Sequence, residues 1–239
     1  MTRRIANEPA YVLHARPYRE TSAIVDLLTR RFGRVSAVAR GIRGARRGAG
    51  PPRPFSCLSV ACSGRTQLLT LNTFDALSHR WLTGDALYAG LYLNELLLRL
   101  LRDDDAHPVL FDGYERTLDA LAADPEPALR RFERLLLKEC GYEITFDCEA
   151  DTGAAIDAGT NYRFVPDVGF QAVDENADQR HVFAGAALQA IERDDYAADG
   201  VRRAAKQIMR RALAPHLGDR PIGSRALYRH ESVRDGGAS

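Results

Sequence analysis

The sequence predicts an α+β protein, built of strands in its first eighty residues and mostly of helices after them. Three observations carry that expectation. Apolar and polar residues alternate in short runs before residue 80, and the apolar spacing turns helical beyond it. A hydrophobic content of 45% over 239 residues is also enough to bury a core in one or two domains.

The strands come first. Tyr11–Arg16 (YVLHAR) alternates, and a polar Arg19-Glu20-Thr21-Ser22 turn leads into Ala23–Thr29 (AIVDLLT). The tight Arg31-Phe32-Gly33 connection predicts a third strand over Gly33–Ala39. After Pro51-Pro52-Arg53-Pro54, two more are predicted over Phe55–Cys62 and Gln67–Asp75, separated by Ser63-Gly64-Arg65. Five short strands with small turns and one long loop suit a closed barrel, because closure removes exposed edges. The five-stranded OB-fold barrel, over residues 1–80, is the economical choice, and that fold commonly binds oligonucleotides. Fold alone does not establish the function.

The helices follow. Asp85–Leu101 (DALYAGLYLNELLLRLL) is apolar almost all round, the pattern of a buried central helix, and its Asn94 and Glu95 must find partners or reach an edge. Pro108–Ala123 predicts a second helix, with proline at the permissive first turn. Pro125–Cys140 predicts a third, with Leu129, Phe132, Leu136 and Cys140 as its apolar stripe and Gly141 at the left-handed stop. Tyr162–Val165 and Phe170–Val173, around Pro166-Asp167-Val168-Gly169, predict a hairpin inserted at about 145–182. Helices resume over Gly185–Arg193 and Val201–Ala214, and Ser224 is placed to cap a last short turn. Residues 81–239 thus read as a mostly α-helical C-terminal domain with a small β-hairpin insertion.

A formal net charge of +1 conceals an asymmetry. Residues 1–102 carry 16 Lys+Arg against 6 Asp+Glu, residues 103–199 carry 8 against 23, and residues 200–239 carry 9 against 3. A basic first segment and an acidic middle suggest modules with separate partners. The densest positive run is RVSAVARGIRGARRGAG, residues 34–50, which holds Arg34, Arg40, Arg43, Arg46 and Arg47 and no acid; Arg53 follows it. Its first part, to Ala39, reads as the end of the third strand; from Gly41 to Gly50 the glycines exclude an element interior, so that part is a cationic loop hung from a strand. By itself the run fits either a phosphate-binding surface or an ordinary solvated loop. Tyr11, Tyr18, Phe32, Phe55 and Phe74 are the aromatic candidates for stacking bases, with Phe55 and Phe74 reading first as core.

Several functions are disfavoured. No run of eighteen apolar residues occurs, so no membrane helix is expected, and the opening MTRRIANEPAYVL lacks a secretory apolar stretch. A cytoplasmic, nucleoid-associated protein is expected. Cys57, Cys62, Cys140 and Cys148 form no C-x-x-C pair, so buried free thiols are expected and no metal site. No phosphate-cradling G-x-x-x-x-G-K-[ST] loop, G-x-S-x-G elbow or H-E-x-x-H helix is present. The six histidines have no ligand spacing. Asp103, Asp104, Asp105, Asp147, Glu149, Asp151, Asp194 and Asp195 leave a metal-dependent nuclease as a remote alternative.

Four stretches in order resemble the RecO family of bacterial DNA repair proteins. YVLHARPYRETSAIVDLLTRRFGRVSAVARGIRG resembles that family's first three strands and cationic loop, and GLYLNELLLRLL its central helix. PALRRFERLLLKECGY resembles the helix entering its variable region, and SRALYRH its C-terminal end. The resemblance implies a non-enzymatic recombination mediator without cofactors. Such a protein binds single- and double-stranded DNA, anneals complementary strands, and works with RecR to load RecA onto DNA coated by the single-stranded-DNA-binding protein SSB. Many members carry two C-x-x-C pairs around zinc; here Asp151 stands three residues after Cys148 and no second pair follows, as in a zinc-free branch. A generic OB-fold RNA-binding protein is the main alternative.

With that resemblance, Arg34, Arg40, Arg43, Arg46, Arg47 and Arg53 are expected to contact DNA phosphates, giving affinity without sequence reading. The family binds the acidic SSB C-terminal tail on its helical domain, which implies an apolar pocket with a cationic rim. Arg130, Arg131, Phe132 and Lys206 are the expected residues. Spacing alone favours reading these helices as solvated faces balanced by Glu126, Glu133 and Glu139; the resemblance reverses that preference.

Overall fold

The computed structural model describes residues 2–41, 52–174, 178 and 180–224. These fall into two compact units, one of residues up to 123 together with 221–224, the other of residues 124–220. Each is described by itself.

The first unit holds five strands, β1 (Arg3–Tyr18), β2 (Ser22–Thr29), β3 (Gly33–Ala39), β4 (Ser56–Gly64) and β5 (Leu68–His79). They close in the order β1-β2-β3-β5-β4, with β3 and β5 parallel and every other pair antiparallel. Closure rests on β1, which is far longer than the six-residue run read from alternation. Its first half pairs with β4 and its second half with β2, and irregularities between Ile5 and Glu8 and between Val12 and His14 let it turn from one partner to the other. Those bulges interrupt the period of two, so the sequence pattern shows only the middle of the strand.

Alternation fills the barrel. In β3, Val35, Ala37 and Ala39 point inward and Arg34, Ser36 and Val38 lie half-buried. Val12, Val25, Leu27, Leu58, Val60, Leu69 and Leu71 complete the interior. Phe55 stands just before β4 with φ of 68°, so the strand opens at Ser56, one residue later than expected.

Two helices cover the outside of β1. They are α1 (Gly84–Leu100) and α2 (Pro108–Ala120). Asn94 of α1 is buried, donates from Nδ2 to the Leu13 carbonyl at 2.8 Å, and accepts the Tyr114 hydroxyl at 2.5 Å. One amide therefore ties β1, α1 and α2 together, which answers what a polar residue does on an all-apolar helix. Tyr11 packs its ring against Phe111 and Tyr114 and donates to Glu115 at 2.7 Å. Burial, and then the carboxylate it bonds, push the Tyr11 phenol well above its ordinary range.

Glu95, the other polar residue of that helix, fastens the far end of the unit. It accepts the backbone N–H groups of Gly223 and Ser224 at 3.0 and 2.9 Å, the Ser224 hydroxyl at 2.8 Å, and the Arg99 guanidinium at 2.5 Å. Gly223 and Ser224 are already helical, so Ser224 lies inside the turn and does not cap it. Burial alone would raise the Glu95 carboxyl, but the Ser224 and Gly223 donors and Arg99 outweigh it and hold the group below its usual value. A lowered carboxyl pKa contributes stability above the ordinary value of about 4.3 and loses it as pH falls through the lower folded value. Hydrogen-exchange protection at Gly223 and Ser224 is therefore expected to drop selectively below about pH 4. In Glu95→Gln the two amides should be poorly protected at every pH; full protection there would show that the carboxylate does not hold them.

The second unit comprises α3 (Pro125–Glu139), α4 (Gly185–Glu192), α5 (Asp199–Leu213) and a three-stranded sheet in the order β7-β6-β8, with β6 over Asn161–Val165, β7 over Gly169–Val173 and β8 over Val182–Ala184. The predicted hairpin is β6 and β7; β8 is an addition, too short at three residues to show a period. Phe146, Phe164 and Phe170 pack at ring separations of 5.2 Å. Against α3 lies the apolar face of α5, with Ala204, Ala205, Ile208, Met209, Ala212 and Leu213 buried. The buried face of α3 is turned from the expected stripe: Ala128, Phe132, Leu136 and Leu137 are inside, while Leu129 and Cys140 are half-buried. No helix among the described residues is long and apolar enough to cross a membrane.

Candidate nucleic-acid interface

The expected DNA-contacting arginines divide into three groups. Arg43, Arg46 and Arg47 lie outside the described residues. Arg40 and Arg53 flank that segment and are both exposed, Arg40 just beyond the end of β3 and Arg53 three residues before β4. Arg34 is different. Its guanidinium pairs with Asp103 at 2.9 Å and donates to the Leu98 carbonyl at 3.0 Å, and its own carbonyl accepts the Asp104 N–H at 3.2 Å. With its charge engaged on both sides, Arg34 fastens β3 to the loop after α1 and has less to offer a phosphate than Arg40 or Arg53.

The register adds cations that sequence reasoning passed over. Tyr18 pairs with Ser22 and Ala23 with Ala39, so the β1–β2 turn stands at the same end of the sheet as Arg40. That turn carries Arg19, whose guanidinium lies 5.1 Å from the Tyr18 ring, and Arg16 is exposed three residues before it, 3.6 Å from the buried Asp26. Arg16, Arg19 and Arg40 thus make a cationic rim with one half-buried tyrosine. Their charge is plain in the sequence, but only the strand register brings Arg16 and Arg19 to the end of the sheet where Arg40 stands.

Of the stacking candidates, Tyr11 is corrected to core, since it is fully buried; Phe55, read first as core, is buried as well. Phe74 packs partly against the barrel interior. Phe32 remains half-buried between the guanidinium groups of Arg3 and Arg31, at 5.6 and 5.7 Å. At the other end of β5 stands Trp81, 76% exposed and edge-on to His79 with centroids 4.2 Å apart. Arg80 between them turns inward to Asp119, Glu115 and the Tyr11 hydroxyl.

In the helical unit, Phe132 is 1% exposed and Arg130 is 5% exposed. Arg130 is locked to Glu133 one turn on, with both groups buried. Neither offers a face to a docking peptide, which corrects their expected place at its surface. Arg131 and Lys206 are half-exposed; Arg131 donates to the Asp194 carbonyl and lies over the Tyr196 ring, and Lys206 faces Glu126 at 3.4 Å.

Of the acids that could have served a nuclease, Asp103 is paired with Arg34, Asp104 with Arg3, and Asp194 with Arg131 and Arg134. Among the described residues no group of three or more His, Cys, Asp or Glu side chains is placed to hold a metal. All four cysteines are free, but only Cys57 and Cys62 are buried, which corrects the expectation for Cys140 and Cys148. Burial pushes the Cys62 thiol up to about 11, the behaviour of a packing residue and not of a reactive one.

Comparison with known proteins agrees with this architecture. The family model described as "Recombination protein O N terminal" matches residues 1–80, and the one described as "Recombination protein O C terminal" matches residues 82–226. The DNA repair protein RecO of Stutzerimonas stutzeri is 47% identical over 234 residues, covering 96% of this chain and 97% of its own. Those of Pseudomonas entomophila and Cellvibrio japonicus are 46% and 44% identical, each covering 94% of this chain and 97% of their own. Two family models covering nearly the whole chain in succession, and full-length relatives near this identity, leave one assignment: the chain belongs to the RecO family of DNA repair proteins.

Proposed function

We propose that this protein is a recombination mediator: it binds single- and double-stranded DNA, anneals complementary strands and, with RecR, helps load RecA onto SSB-coated DNA, breaking no covalent bond itself. The observation that carries the reading is the join between barrel and charge. A five-stranded barrel in the order 1-2-3-5-4 has the strand order of an OB fold, and its β3–β4 connection carries the arginine-rich run. On this reading residues 1–80 form the OB-fold nucleic-acid-binding domain and residues 81–239 the helical domain with its insertion at about 145–182. Annealing then follows from charge: two polyanions on one cationic surface repel less and meet more often.

The test is annealing of complementary strands, naked and SSB-coated, beside affinity for DNA and RNA of equal sequence. Faster annealing of both DNA substrates is expected. A marked preference for RNA would favour contacts that need the 2′-hydroxyl and replace the reading with an RNA-binding one.

The SSB tail is assigned to the helical domain, with Arg131 and Lys206 as its cationic contacts. Charge reversal of both, Arg131→Glu with Lys206→Glu, is expected to abolish binding of a tail peptide and leave annealing of naked DNA largely intact. Surviving peptide binding, or equal loss of naked-strand annealing, would refute the assignment.

A further inference from the structure

We infer that Trp81 is a stacking platform for a base of single-stranded nucleic acid, set beside the point where the cationic β3–β4 connection returns to the barrel. The inference rests on the DNA-binding reading and adds to it a residue and a kind of contact. Trp81 is the one tryptophan of the chain and leaves 76% of its surface open. An indole left in water forfeits the burial that large aromatic residues ordinarily obtain, so its exposure calls for a use.

The indole is held in place from below. His79 meets it in an edge-to-face contact, with centroids 4.2 Å apart and an interplanar angle of 72°. The His79 Nδ1 is 2.8 Å from the Ser56 hydroxyl at the first residue of β4, and Ser56 is paired with His79 across the sheet. Burial, and then the charge of Arg53, lower the His79 pKa, so the imidazole beneath the indole is neutral near pH 7. Arg53 is tied to the same corner, its carbonyl accepting the Ser56 N–H at 3.2 Å, and the Phe55 carbonyl accepts the Arg80 N–H at 3.3 Å.

One corner therefore combines an open aromatic ring on a rigid support with an exposed guanidinium at the end of an arginine-rich segment. Bases need the ring and phosphates the cation, and single-stranded nucleic acid offers both at once. An apolar protein partner would use the tryptophan but not the exposed Arg53 at the same corner.

Because Trp81 is the sole tryptophan, its fluorescence reports the contact directly in the full chain. Titration with oligothymidylate is expected to quench it, whereas an abasic oligonucleotide of equal length and charge should bind through phosphates with little quenching. Trp81→Ala is expected to weaken oligothymidylate binding about ten-fold, and Trp81→Phe less, with the salt dependence unchanged because no phosphate contact is removed. Unchanged oligothymidylate affinity in Trp81→Ala overturns the inference, as does equal weakening for both oligonucleotides or unquenched fluorescence at saturation. In those cases binding by the intact protein leaves the DNA-binding reading standing. Failure of the intact protein to bind either oligonucleotide would overturn both.

Discussion

Alanine at Arg40, Arg43, Arg46 and Arg47 together is expected to lower affinity for single-stranded DNA by roughly three orders of magnitude at about 0.1 M salt. Each arginine–phosphate contact on a single strand displaces about 0.7 of a counterion, so losing four should reduce the slope of log affinity against log salt by roughly 3. The loss should be the same for every base sequence, since phosphates carry no sequence information. Arg34 is left out of this set because Asp103 and the Leu98 carbonyl already occupy it. Titrations of the intact and fourfold-substituted proteins at several salt concentrations decide the matter. An unchanged slope would move the binding surface away from this connection, with the basic stretch 200–234 next in line.

Gly33→Ala is expected to destabilise the first unit by about 2–4 kcal/mol, read as a lower midpoint in urea or heat. Two effects add. Gly33 sits at φ of 63°, a left-handed conformation costing a residue with a Cβ about 1 kcal/mol. A Cβ there would also fall 1.8 Å from the Asp105 carbonyl oxygen, a backbone atom that can move only with its whole loop. Gly41→Ala is the matched control. Its φ is 66° but no described residue lies within 4 Å of the added atom, so it should show the conformational part alone. Equal losses in the two variants would mean that the loop at Asp105 yields freely and does not anchor β3. The same anchor holds Arg34 in its ion pair, so Gly33→Ala should also release that guanidinium.

What could be read from the chain and what could not divide along a physical line. Alternation together with turn signals located the five barrel strands, and helical spacing located α1 to α5 among the described residues, because side-chain direction in a strand or helix is a local property of the backbone. Segmental charge and the glycine-rich arginine run are properties of composition alone, and with the ordered family stretches they pointed to nucleic acid before any contact was known. The length of β1 escaped because bulges break its period, and β8 because three residues hold no period at all.

The site divided in the same way. Arg34 and Arg40 look alike in sequence, yet one is spent on Asp103, sixty-nine positions away, and the other stands free on the surface. Arg130 and Arg131 are neighbours, but the hundred-degree step between them buries one beside Glu133 and leaves the other half-exposed. Trp81 is ordinary in sequence and becomes conspicuous only because Ser56 and His79 support it while 76% of it stays exposed. Residue type and local period thus determined the elements and the sign of the charge. Which cation has an acid within reach, and which ring has a neighbour above it, was decided by strand register and helix packing between residues far apart in the chain.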